Sequence, residues 1–427
     1  MWLLEKMLRK LIRKGKLIVT DYDGKEYIFG DPHSTDEPIR LRMMDKGAAF
    51  HIAKDPRVGA GEAYMDGRMV VEAPHDIRDL LLFAGANGEG ENEDAFEPHG
   101  KLRQLAGRIA YKIDSFNDRR AARKNAEHTY NLTRQLYELF LDEDRQYTMA
   151  YYRDPSVSLE KAQMDKKAHI AAKLNLDPAT SSGKTVLDIG CGWGGLALYL
   201  HKHYDVDVLG VALAPDQIAF CQERAKEAGV EDRVKFKLMD YRDVEGQFDR
   251  ITSVGLLEHV GTPQYPGFYE HTYKLLKPDG VMFSHCCGRA HGPGMTDAWT
   301  RKYIFPGGYI PALSEMVVES EKAGWQIMDV EAMRFHYAHT LEEWYRRTQM
   351  HREEITALYD ERFYRMWEFY LAGAEQSFRH GGLVNWQLQY VKSRSAIPMT
   401  REYIDEESAR LRALDEVPEW HLAQAAE

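Results

Sequence analysis

Apolar and polar positions follow three different rhythms along this chain. At the front, Leu4, Met7, Leu8, Leu11 and Ile12 recur at helical spacing, with Lys6, Arg9, Lys10, Arg13 and Lys14 on the opposite face. This predicts a helix over 1–18. Short strand-like runs follow at Leu17–Val19, Glu26–Phe29, Ile39–Met43 and Ala48–His51, separated by Gly and Asp turn signals such as YDGKEY and FGDPHS. GEAYMDGRMVVE continues that pattern, and a helical DIRDLLLFA closes it. Residues 1–98 thus read as a small α+β domain ending in a linker, ANGEGENEDAFEP, over 86–98. A helical segment over 99–140 bridges to the rest. From 184 onward strand and helix alternate: TVLDIG, GGLALYLHKHY, DVLGVAL, PDQIAFCQERAKEAG, RVKFKLMD, FDRITSV, a helix over 265–277, and GVMFSHCC. Alternation of this kind predicts a doubly wound, Rossmann-like α/β domain over 141–427. WQIMDVEAM and NWQLQYVKS supply two last strands, with an aromatic-rich helical insert over 340–380 between them.

Composition bounds the class. The 427 residues are 44% hydrophobic and 29% charged, as in an ordinary soluble globular protein. No apolar run approaches the roughly 18–20 residues that span a bilayer, and the start has no secretory cleavage pattern. Four cysteines, Cys191, Cys221, Cys286 and Cys287, show no CxxC spacing. Neither a metal site nor a redox motif is indicated, and a reducing, cytoplasmic compartment is the simplest reading. A net charge of −11 argues against nucleic acid and, taken alone, against an anionic membrane. The distribution changes that second inference. The linker 86–98 contributes −5 and the tail 401–427 another −5, whereas the first 18 residues carry six bases and one acid. The first helix therefore has two readings: a helix packed on its own domain, or a basic amphipathic helix in a lipid interface.

VLDIGCGWGG (186–195) is the strongest chemical signal, a strand running through Gly190, Gly192 and Gly194 into a helix. Glycines there let the backbone turn tightly and approach a ligand. Gly190, Gly192 and Gly195 also satisfy the dinucleotide GxGxxG, which alone is weak. Two details favour S-adenosylmethionine. Asp188 precedes the first glycine, where an acid can meet the methionine ammonium, and the second strand ends in GVALAP, with no carboxylate for a nicotinamide ribose. Asp240 follows the third strand, where such folds contact the adenine. Glu258, in GLLEHVG after the fourth strand, and His285, in FSHCC ending the fifth, lie at the carboxyl edge where ligands bind.

The chain resembles the cyclopropane fatty acid synthases, S-adenosylmethionine-dependent enzymes related to the mycolic acid cyclopropane synthases. The resemblance is carried, in order, by YTMAYYRDPSVSLEKAQ, VLDIGCGWGG, GVALAPDQIAF, GLLEHVG, RKYIFPGGYIP, HYAHTLEEWYRR and YLAGAEQSFRHGG, and at the front by GEAYMDGR. It implies transfer of a methylene from S-adenosylmethionine across a cis double bond of a phospholipid acyl chain. It also implies a bound bicarbonate as the base, held by Glu258, His285 and Tyr337 with the backbone amides of Met149 and Cys287. For the cofactor it implies Tyr147, Thr148, Gln217, Asp240 and Tyr241 beside Asp188 and the three glycines. The small front domain is thought to help with lipid, which places the enzyme at the inner face of the membrane. A homodimer is a further implication.

Three positions depart from the family pattern. Many members have Cys where Met149 stands, Ile where Cys287 stands, and Cys where Ala374 stands. A thiol nucleophile at the last position is ruled out here, which fits bicarbonate as the base. The departures leave other products open. Loss of a different proton would give a methylene branch, and hydride quenching a methyl branch. A small-molecule N-methyltransferase is the remaining alternative. The aromatic series Phe363, Tyr364, Trp367, Phe369 and Tyr370 reads either as a lid over an acyl channel or as plain core.

Overall fold

The computed structural model describes residues 1–88 and 132–415. Most of the bridging segment, and the acidic end of the tail, lie outside the described residues. Contacts divide the chain into two compact units, neither of them continuous. One comprises Met1–Tyr111, Thr296–Pro306 and Leu341–Leu383; the other comprises Lys112–Met295, Gly307–Thr340 and Val384–Glu427. The linear partition at 98 and 140 does not coincide with them, because 296–306 and 341–383 pack with the front of the chain.

The second unit is built on a seven-stranded sheet. Its strands are β5 (Thr185–Ile189), β6 (Asp207–Ala212), β7 (Val234–Leu238), β8 (Phe248–Val254), β9 (Leu276–Arg289), β10 (Gln326–Met333) and β11 (Leu383–Val391). Their order across the sheet is β10-β11-β9-β8-β5-β6-β7. Pairings from β7 through β9 are parallel, and β10 pairs antiparallel with β11. Alternate residues serve opposite faces, so both faces are apolar, as a covered parallel sheet requires. Val186, Val208 and Phe236 pack with Ile170, Leu200, Ile218 and Leu411 on one side. Leu187, Ile251 and Met282 pack with Phe268, Tyr269 and Met316 on the other. The chain leaves β5 toward β6 and returns to β8 on β5's opposite edge. That reversal opens a crevice beyond the carboxyl ends of β5 and β8, where ligands of open α/β sheets bind.

The first unit has a four-stranded sheet ordered β2-β1-β3-β4, with β1 at Lys16–Thr20, β2 at Glu26–Gly30, β3 at Ile39–Met43 and β4 at Met69–Glu72. β3 shows clean alternation: Ile39, Leu41 and Met43 are buried, Arg40 and Arg42 exposed. Two expectations fail here. The first helix ends at Leu11, not at 18, because Asn87 Oδ1 accepts the Arg13 and Lys14 N–H groups at 2.9 and 2.8 Å and Gly15 turns left-handed into β1. Ala48–His51 and GEAYM, expected as strands, are helical, within Ala48–Lys54 and Pro56–Met65. Small residues explain this. A Cβ on Gly59 would lie 2.6 Å from the His51 carbonyl oxygen, so the two helices touch backbone to backbone. In helix Glu361–Arg379, Tyr364, Trp367 and Tyr370 are buried, which is the core reading, while Phe363 and Phe369 are half-buried. Ala374 lies half-buried on the same helix.

Candidate active site

The glycine turn is shaped by its neighbours. Gly190, Gly192 and Gly194 have φ of 80°, 51° and 82°, the left-handed region that glycine enters without strain. Gly195 is required for a different reason: a Cβ there would lie 2.0 Å from Asp144 Oδ2. The Asp144 carboxylate sits against the start of helix Gly195–Tyr204 and takes Lys167 at 2.7 Å and Arg224 at 2.6 Å. Burial would raise its pKa, but these two cations hold it down to about 2. Asp188 has no such compensation, and burial raises its carboxyl to about 7.

The predicted cofactor residues surround this turn. Tyr147 packs edge-on against Tyr137 at 5.3 Å, and Tyr137 packs edge-on against Trp193 of the turn at 5.7 Å. Thr148 Cγ2 lies 3.0 Å from where a Gly255 Cβ would stand, so this loop meets the end of β8. Gln217 is buried near the start of helix Pro215–Glu227. Asp240 caps the turn Tyr241–Asp243 and is held by Arg242 through Nε and Nη2 at 2.8 and 2.6 Å. Burial pushes the Tyr241 hydroxyl up to about 12.

The reacting residues lie one strand over. Glu258 stands in the short helix Leu257–Val260 after β8, and its Oε1 accepts the Cys287 N–H at 2.6 Å. Oε2 is buried with no hydrogen-bond partner among the described residues. Burial raises this carboxyl to about 7, against the pull of the Cys287 amide. His285, two residues before Cys287 on the same face of β9, is fully buried; its carbonyl accepts the Gly255 N–H at 2.8 Å. Burial, with Lys166 nearby, lowers the imidazole to about 3, so the ring is neutral at any physiological pH.

Met149 is fully buried, and the loop around it joins the remaining parts. The next residue, Ala150, donates its N–H to Thr340 Oγ1 at 3.0 Å, and Tyr152 donates to His336 Nδ1 at 3.0 Å. Tyr151 stacks between His169 and His336, with centroids at 4.4 and 5.0 Å. These contacts fasten the loop to helix His336–Met350, whose second residue is the half-buried Tyr337. The structure therefore joins Glu258 to Cys287 directly and binds the Met149 loop to the start of the Tyr337 helix. The Cys287 amide, expected to meet an anion, donates to Glu258.

Three sets of neighbours escaped sequence reasoning. Lys166, fully buried, donates to Thr148 Oγ1 at 2.8 Å, and burial lowers its amine to about 7. Asp144 with Arg224 seats the glycine turn. Asn385 and Gln387 on β11 face His285. The last pair left a signal: with Gln389 they are polar at every second position of a strand that is buried from Val384 to Val391.

A glycine turn after β5, an acid before it, and Glu258 after β8 with His285 in β9 define an S-adenosylmethionine-dependent methyltransferase. Comparisons make the class particular. A family model described as mycolic acid cyclopropane synthetase matches residues 117–388, and the chain belongs to that family. It is 35% identical over 353 residues to the cyclopropane-fatty-acyl-phospholipid synthase of Escherichia coli K12, covering 83% of this chain and 88% of that protein. It is 31% identical over 384 residues to a probable fatty acid methyltransferase of Pseudomonas putida, covering 86% and 95%. Among solved structures, the mycolic acid cyclopropane synthase CmaA1 complexed with S-adenosylhomocysteine superposes with a TM-score of 0.59 at 28% identity, over 63% of this chain and 97% of that one.

Proposed function

We propose that this enzyme converts a cis alkene in a phospholipid acyl chain into a cyclopropane, using the methyl carbon of S-adenosylmethionine. The alkene π pair attacks the methyl carbon, and the S–CH₃ bond breaks with its electron pair staying on sulfur. The neighbouring carbon becomes a cation. Loss of a proton from the added methyl lets that C–H pair close the ring. The observation that carries this reading is the buried Glu258 carboxyl, with Oε2 unpartnered and its pKa raised to about 7, beside a neutral His285. Such a carboxyl exchanges a proton near neutrality, and exclusion of water protects a carbocation from quenching.

Bicarbonate fits this cluster. A protonated Glu258 avoids carboxylate–anion repulsion and offers an O–H, while Oε2 awaits a partner. Glu258, His285 and Tyr337, with the amides of Met149 and Cys287, would hold it, and the bound ion would supply the base for the departing proton. For the Cys287 amide to take part, Glu258 Oε1 must release it. The glycine turn and Asp188 bind and orient the cofactor, and Thr148, fixed by Lys166, faces the same crevice.

The substrate assignment draws on the printed names of the relatives and on the first helix. Leu4 and Leu11 of that helix are buried within their own unit, while Lys6, Arg9, Lys10, Arg13 and Lys14 are exposed beside a 76% exposed Trp2. A basic face with an exposed indole suits an anionic lipid surface. The reading thus places a cytoplasmic enzyme at the inner face of the membrane, acting as a homodimer. A second reading, methyl or methylene branching of the same chains, is favoured by the printed name of the Pseudomonas putida relative, and Ala374 leaves it open. Mass analysis of fatty acids from cells with and without the protein decides. A gain of one CH₂ unit with loss of the alkene is expected. The same gain with the alkene retained would select a branch formed by loss of a different proton, a gain of CH₂ plus two hydrogens with the alkene lost would select a methyl branch formed by hydride quenching, and unchanged lipids would refute both readings. Adding bicarbonate to a stripped preparation should restore turnover, and a flat response would remove the ion.

A further inference from the structure

Both ring nitrogens of His285 face amides projected from β11. Gln387 Nε2 lies 3.1 Å from Nδ1, and Asn385 Nδ2 lies 3.3 Å from Nε2. All three residues are fully buried. An amide nitrogen only donates, and a neutral imidazole accepts at one nitrogen while donating from the other. Two amide nitrogens around one ring therefore set an N–H against an N–H. At the same time Asn385 Oδ1 and Gln387 Oε1 are both buried with no hydrogen-bond partner among the described residues. Half a turn of one amide removes the conflict and gives the ring N–H an acceptor.

Cys287 decides which amide turns. Asn385 Nδ2 also lies 3.6 Å from Cys287 Sγ and donates to it. The sulfur lone pair is the acceptor in that contact. Asn385 then has two acceptors for its two hydrogens, His285 Nε2 and Cys287 Sγ, and keeps its orientation. Gln387 is the one that turns. We infer that Gln387 presents Oε1 to the Nδ1–H of His285, and that Gln387 and Asn385 are positioning residues that fix one neutral tautomer, with the Nε2 lone pair beside Cys287. The surroundings of the ring agree with neutrality, since burial first, and then Lys166, Lys173 and His169, oppose an imidazolium against the pull of Glu331.

The consequence is a sense of hydrogen bonding. His285 accepts at Nε2 rather than donating, here from the Asn385 amide, so a group such as the hydroxyl of bicarbonate or the protonated Glu258 carboxyl could bind the ring only by taking that amide's place with a proton of its own. This rests on the reading that Glu258 and His285 serve one reaction, but its test does not depend on product. Full-length protein labelled with ¹⁵N in histidine gives a long-range ¹H–¹⁵N spectrum, in which loss of one ring signal in His285→Asn identifies His285. The expected pattern is a protonated Nδ1 and a bare Nε2, unchanged across neutral pH. A protonated Nε2, a doubly protonated ring or an average of the two tautomers would overturn the inference. Gln387→Glu, nearly isosteric, should turn the ring toward imidazolium. Gln387→Met should mix the tautomers and lower turnover about 10- to 100-fold, as removing an orienting partner of a ligating histidine does. Ring signals unchanged in Gln387→Glu would remove Gln387 from the role even if the methionine variant fails to fold. Missing cyclopropane lipid with the expected spectrum would instead count against the proposed reaction and leave the tautomer standing.

Discussion

Replacing Glu258 by Gln separates what this carboxyl does in the reaction from what its charge costs the fold. Burial raises its pKa from 4.5 to about 7. The folded protein therefore binds a proton that the unfolded chain releases between those values. Stability falls as pH rises through that window, because the native state holds more protons there. At about 1.36 kcal/mol per pH unit, the ionised Glu258 costs the fold about 3 kcal/mol once pH exceeds its folded value. Glutamine keeps the acceptor for the Cys287 N–H and carries no charge. Glu258→Gln should thus stabilise the protein by about 3 kcal/mol at pH 8 and by almost nothing at pH 4.5. Turnover should drop by about 10² or more, the scale of losing an acid–base group, while S-adenosylhomocysteine still binds. Urea midpoints at the two pH values, with calorimetric binding, test this. An equal change in stability at both pH values would refute the burial argument. Unchanged turnover would remove Glu258 from the chemistry.

Two further perturbations test other parts. Gly195→Ala should abolish S-adenosylhomocysteine binding and lower stability by about 2 kcal/mol or more, since the added carbon must displace a buried, doubly paired carboxylate; ordinary binding in a titration would show that Asp144 yields. Changing Lys6, Lys10, Arg13 and Lys14 to Gln should weaken sedimentation with anionic vesicles by about 1 kcal/mol per charge at low salt. Binding that ignores both the charges and the salt would dismiss the first helix as a lipid contact.

The strand–helix alternation from 185 onward was readable because short strands rich in apolar residues, set off by Gly or Asp, alternate with longer segments of helical period. The glycine turn was readable because left-handed φ leaves little choice of residue. The front of the chain misled for a related reason. Ala48–His51 and GEAYM pack through small residues, and close backbone contact leaves no amphipathic period to see. Lys166 and Asp144 were illegible because a lysine or aspartate that a fold buries is spelled like one that it solvates. Asn385 and Gln387 were legible in kind but not in target: alternation showed a polar face, and only the sheet order β11-β9 aims it at His285.

The interleaving of the first unit sets a schedule for its synthesis. Arg78 emerges early, yet the carboxylate that grips it at 2.6 Å, Glu375, lies 297 residues further on. At about 5–20 residues per second, the ribosome needs roughly 15–60 s to deliver it. Glu342, its other partner at 2.7 Å, arrives only shortly before. Until then a guanidinium destined for partial burial, and the apolar face of helix Ile77–Gly88 around it, wait without helix Glu361–Arg379. The front domain thus cannot finish folding in the order in which it is written, and completes its packing only once helix Glu361–Arg379 has been made.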